Sequence, residues 1–112
     1  MGCGVVTRAA EAAGIQAGVN VLEDVSKNFK GAGVEVKMTP LQAGMEVIQH
    51  KHEYDHLSVL ISGKVRVSTD EATYWLDATI IPHSLVIKAG RYHTVYAITD
   101  AVWLCVHKAG VQ

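Results

Sequence analysis

The chain has 112 residues, 49 % of them hydrophobic and 19 % charged, with a formal net charge of −1. That is enough for one domain with one core, and too apolar for a disordered chain. Charges of both signs are scattered, so no basic stripe argues for nucleic acid, and no apolar run reaches the 18 residues that suggest a membrane span.

The opening "MGCGVVTRAAEAAG" lacks the long apolar stretch behind basic residues that marks a secretion signal. Met1-Gly2 precedes Val6 where N-myristoylation wants Ser or Thr. Cys3 and Cys105 lie at opposite ends of the sequence. That spacing argues against a bridge and for a reducing, cytoplasmic home, with Cys105 a buried, inert thiol. Residues 7 to 13, "TRAAEAA", favour a short helix capped by Thr7 and ended by Gly14. "VLEDVSKNF" reads as an irregular strand or a helical turn, and "KGAG" as a loop. Residues 1–33 thus form an extension that packs on a barrel or on a partner subunit.

From residue 34 the pattern turns to period two. "VEVKMT" alternates until Pro40 and Gly44 break it. "EVIQHKH" and "HLSVLIS" follow, joined at "EYD". "SGK" then makes a hairpin turn into "KVRVST". "ATYWL", "TIIP", "SLVIK", "HTVYAIT" and "AVWLCVHK" continue at short spacing. Many short strands with little helix predict an all-β sandwich or barrel over residues 34–112.

Three of the six histidines, His50, His52 and His56, fall within seven positions. Residues i and i+2 of a strand share a face with Cα atoms about 6.6 Å apart. Imidazoles at His50 and His52 can therefore converge on one ion about 2.1 Å from each nitrogen. The turn at Glu53–Asp55 returns the chain, so His56 opens the neighbouring strand beside them. The competing reading is a solvated, histidine-rich turn.

The segment runs Gly44, five residues, His50, one residue, His52, three residues, His56, six residues, Gly63. It resembles the first cupin motif, G-x5-H-x-H-x3-E-x6-G, at every spacing, with His56 where the family has Glu. The second motif, G-x5-P-x-G-x2-H-x3-N, is matched in part by residues 82 to 97. Gly90 and His93 are in register, while Pro82, Lys88 and Ala97 depart. The resemblance covers about residues 34 to 108 and implies a double-stranded β-helix, a jelly-roll-like barrel. It also implies that His50, His52, His56 and His93 are metal ligands. By alternation, Val95 and Ala97 should face inward beside His93, as should Ser58 and Leu60 beside His56. The pocket would be small and mostly apolar, and Tyr92 and Tyr96 would point away from it. Glu46 shares a strand face with His50 and His52 and is a candidate acceptor for a ligand imidazole, against a plain solvated role. His83 reads as a surface residue, as does His107, while Arg66 and Arg91 are surface residues or an anion clamp.

Four neutral imidazoles leave a divalent ion its full charge, which favours an anionic ligand. Imidazole suits several first-row metals. Mn or Fe would use two open positions for a bidentate substrate or for substrate with dioxygen, and Zn or Ni would fill the site without redox chemistry. The expected function is a metal-dependent dioxygenase acting on a small anionic or enolisable molecule. The alternatives are a non-catalytic metal- or ligand-binding module, acting as a sensor or assembly component, and a metal-dependent isomerase or lyase. No catalytic acid or base is assigned. Barrels of this kind pair through edge strands, which predicts a homodimer.

Overall fold

In a computed structural model, which describes residues 5–8, 26–49 and 54–109, the chain forms ten antiparallel strands. They are β1 (Val5–Arg8), β2 (Lys27–Gly31), β3 (Val34–Leu41), β4 (Met45–Gln49), β5 (His56–Ser62), β6 (Lys64–Thr69), β7 (Thr73–Asp77), β8 (His83–Ile87), β9 (His93–Ala97) and β10 (Ala101–Lys108). One sheet runs β1-β4-β9-β6-β7 and the other β2-β3-β10-β5-β8. After β4 the chain passes repeatedly between the sheets, and each crossing closes the sandwich further. Among the described residues there is no helix.

Thr7 lies inside β1, paired with Glu46, so it does not cap a helix. The rest of the expected helix, residues 9–13, lies outside the described residues. Pro40 does not end its strand either. β2 reaches along β3 only as far as Met38, so at Pro40 the missing N–H falls on an open edge, where proline is tolerated. "TIIP" is not a strand. Residues 79–81 form bends, and Ile80 is 92 % exposed. Its β-branched residues suit a strand, but no neighbouring strand takes their backbone groups.

The core lies between the sheets. Leu60, Val65, Val67, Val95 and Ala97 are fully buried, and Trp103 and Cys105 almost so. Gly63 lets the β5–β6 turn enter tightly. Its φ is +86°, and a side-chain carbon there would overlap the Asp100 carbonyl and come within 2.8 Å of Ala101 Cα. Gly44 has φ +89° and donates its N–H to the Ala97 carbonyl at 2.8 Å. The two glycines that bound the histidine segment are thus turn positions that need left-handed backbone.

Cys105 is not a free thiol. It is half of a disulfide whose other sulfur lies outside the described residues. Distance along the sequence does not govern distance in a sandwich whose last strand is central to its sheet. The bond removes the cysteine argument for a reducing home, because disulfides persist in oxidising surroundings.

Candidate metal centre

His56 is the first residue of β5 and His93 the first of β9. The two strands belong to opposite sheets, so the imidazoles approach each other across the sandwich. Their ring centroids are 5.5 Å apart and tilted by 44°. His56 is 5 % exposed and His93 1 %, and all four ring nitrogens are buried. Two imidazoles sharing one ion at about 2.1 Å from each nitrogen have centroids roughly 4.5 to 6.5 Å apart. The pair fits that demand. His50 and His52 lie outside the described residues, and among the described residues no group of three ligating side chains occurs.

Backbone connections fix the pair. The Asp55 carboxylate accepts the Ala89 N–H at 2.8 Å and meets Lys88 Nζ at 3.5 Å. It therefore ties the residue before His56 to the turn that leads into His93. That backbone hydrogen bond, with Lys88 in support, holds the Asp55 carboxyl below the usual carboxylate range. On the far side of the same turn, Arg91 pairs with Glu71 at 2.7 Å and Asp70 at 3.4 Å. Arg91 is thus a brace between two loops, not an open clamp. Arg66 lies 4.7 Å over the Tyr96 ring, in register with it across β6 and β9.

Ser58, Leu60, Val95 and Ala97 are all fully buried. Leu60, Val95 and Ala97 belong to the apolar cluster between the sheets. Ser58 Oγ and Trp103 Nε1 are buried without a hydrogen-bond partner among the described residues. The inner faces of β9 and β6 are apolar, with Val65, Val67, Val95 and Ala97 fully buried. The inner face of β3 is more polar. There Lys37 is 7 % and Thr39 5 % exposed, on the face that also carries Glu35. Glu35 is paired in register with His107, and the His107 ring lies 6.3 Å from that of Tyr54. Burial, then the nearby Glu35 charge, pushes the Tyr54 phenol above its ordinary pKa. Sequence reasoning missed Lys37 because a lysine in an alternating strand is normally assigned to the solvent face.

The face that Glu46 was expected to share with His50 and His52 lies outside the described residues at those two positions. Val47 is buried, while Glu46 is half-buried and Ile48 exposed. Glu46 is paired with Tyr96 on the outer side of β4 and β9. His83 is exposed on β8, and Tyr92 is exposed as well.

No family model and no curated protein matches the chain. Solved structures do. A cupin-2 domain-containing protein from Halorhodospira halophila superposes with a TM-score of 0.68 at 15 % identity, over 85 % of this chain and 70 % of that one. A cupin superfamily protein from Desulfitobacterium hafniense gives 0.65 at 17 % identity, over 87 % and 85 %. The fold is that of the cupins. A third structure, an RmlC-like cupin from Methanocaldococcus jannaschii with a double-stranded β-helix, gives 0.62 at 11 % identity over 77 % and 80 %. At such identities the likeness speaks for the cupin architecture and leaves the chemistry to the residues.

Proposed function

We propose that this cupin-fold chain holds one divalent ion, Mn or Fe in preference to Zn or Ni, through His50, His52, His56 and His93. We further propose that it acts as an oxygenase-type enzyme on a small anionic or enolisable substrate. The observation that carries the reading is the buried His56–His93 pair, aimed across the sandwich from opposite sheets. Burying two polar rings together at the end of an apolar core is costly unless their nitrogens are engaged. When bound, the ion supplies Lewis acidity and a fixed positive charge.

The protein's own groups do the rest. Lys37 brings a cation to the inner wall, which supports an anionic ligand. Ser58 and Trp103 offer a hydroxyl and an indole N–H to its oxygens. Leu60, Val95 and Ala97 exclude water beneath it. The neutral Tyr54 phenol beside His107 supports a second reading, an isomerase or lyase in which that O–H delivers a proton.

The test is metal analysis of protein purified without immobilised metal, on wild type, His56→Ala, His93→Ala and His83→Ala. The first two variants should lose metal at least tenfold, as removal of a ligand entails, and His83→Ala should retain it. Equal metal in all four rejects the site. Oxygen uptake by Mn- or Fe-loaded protein with small diketones and keto acids then separates the oxygenase from the isomerase or lyase and from a non-catalytic module.

A further inference from the structure

β7 is the least guarded edge of the molecule. Its sheet ends there, and among the described residues no strand pairs with its far side. The other three edges are protected in the usual ways. β1 has four residues, β2 carries Lys27 and Lys30, and β8 lies between Pro82 and Lys88. β7 reads Thr73, Tyr74, Trp75, Leu76 and Asp77. It has no lysine and no proline, and its single charge sits at its end, 4.0 Å from Lys64 Nζ.

Register shows which backbone groups β7 leaves over. The Ala78 N–H donates to the Gly63 carbonyl and the Thr69 N–H to the Ala72 carbonyl, both at 2.8 Å. Both bonds lie on the ladder that pairs Lys64 with Asp77. Bonded and non-bonded pairs alternate along an antiparallel ladder. Tyr74 and Leu76 therefore turn their N–H and C=O groups toward β6, while Thr73, Trp75 and Asp77 turn theirs to the open edge. Side chains alternate as well. Trp75 is 69 % exposed and lies beside Arg66 on the outer side of the sheet. Tyr74 lies on the side of buried Val67, where with Leu85, Val86 and Ile87 it lines an open groove between the edges of the two sheets. The charges at that groove are answered within the chain, Arg91 by Asp70 and Glu71, and Lys88 by Asp55.

We propose that the open edge of β7 binds an extended, uncharged peptide segment of another protein, added as a sixth antiparallel strand to the sheet β1-β4-β9-β6-β7. The outward residues offer a donor and an acceptor at every second position, which is the repeat that strand addition requires. The partner residue opposite Trp75 packs on the indole, and the one opposite Tyr74 reaches into the groove beside Val86. Both places ask for apolar side chains. A charged segment gains nothing, because the nearby ions already have partners. A nucleic acid or a lipid surface has no row of alternating amide donors and acceptors to match the edge.

The experiment pans displayed random dodecapeptides on the full chain, then titrates the selected peptides in synthetic form. The enriched sequences should alternate apolar and uncharged residues. Their binding should be saturable and should shift tryptophan emission to the blue, because Trp75 is exposed and the other tryptophan, Trp103, is already buried. Thr73→Pro removes an N–H that faces the open edge, not one that holds β7 on β6, so the ladder survives it. That variant should bind at least about tenfold more weakly, and N-methylation of alternate peptide residues should abolish binding, since main-chain hydrogen bonds supply the affinity in this mode. Circular dichroism checks the variant, and should it fail to fold, the N-methylated peptide decides. A library that yields no saturable binder overturns the proposal. So does a peptide that binds as well when N-methylated, or one that binds a folded Thr73→Pro as tightly as wild type. Self-association in sedimentation velocity that Thr73→Pro abolishes would give the edge to a second copy and overturn it too. None of these readings depends on metal.

Discussion

Ser58 is the most informative single residue after the histidines. A serine with no exposed surface and no hydrogen-bond partner for its hydroxyl among the described residues is a net cost to the fold, because a desolvated hydroxyl has given up its water. Packing alone would favour alanine there. Ser58→Ala should therefore stabilise the protein by about 1 kcal/mol in urea unfolding. The same change should weaken binding of an anionic ligand to the metal-loaded protein, read by isothermal titration. A clear loss of stability would mean that the hydroxyl is satisfied within the fold and has no role at the site. Trp103 raises the same question on a larger scale, since its buried indole N–H also has no partner among the described residues.

At the scale of elements, the ends of the histidine segment were legible: His56 opens β5 as expected, while His50 and His52 lie outside the described residues. A strand, a turn and a returning strand fix which positions can meet, and the glycines at 44 and 63 mark turns that admit little else. Alternation correctly sent Ser58 and Leu60 inward together with His56. It was less use on β3, where "VEVKMT" invites the usual assignment of valine inside and lysine outside. The structure reverses it, with Lys37 buried and Val34 37 % exposed. Period two reports that two faces differ, not which one meets the core. Neither the failure of "TIIP" to form a strand nor the bond at Cys105 had a local signal, because both depend on which distant segments become neighbours. The Asp55 bridge is likewise non-local, and it yields a prediction. Asp55→Ala releases the Ala89 N–H and Lys88 together, so the turn before His93 is no longer tied to the residue before His56. Both melting temperature and metal affinity should fall, the latter measured by competition with a chelator. A fall in melting temperature with unchanged affinity would show that the bridge stabilises the fold without positioning the pair.

At the scale of the whole molecule, the sandwich depends on crossings between its sheets, and the one from β7 to β8 is the least supported by strand pairing. Asp77 organises it. Its carboxylate accepts the Thr79 hydroxyl at 2.7 Å and the Thr79 N–H at 2.9 Å, and Lys64 Nζ lies 4.0 Å away. Those hydrogen bonds, the hydroxyl first, hold the Asp77 carboxyl below its ordinary value. A carboxyl whose folded pKa is depressed stabilises the fold fully above its unfolded pKa. That contribution is lost as pH falls through the folded value, because the unfolded chain takes up the proton more readily. Wild type should therefore melt higher than Asp77→Ala at neutral pH, and the gap should narrow as pH falls below about 4, the ordinary aspartate range. Calorimetric melts of both proteins over that range provide the measurement. A gap that stayed constant into acid would mean that the protonated carboxyl serves as well as the anion, leaving shape and not charge to hold the crossing in place.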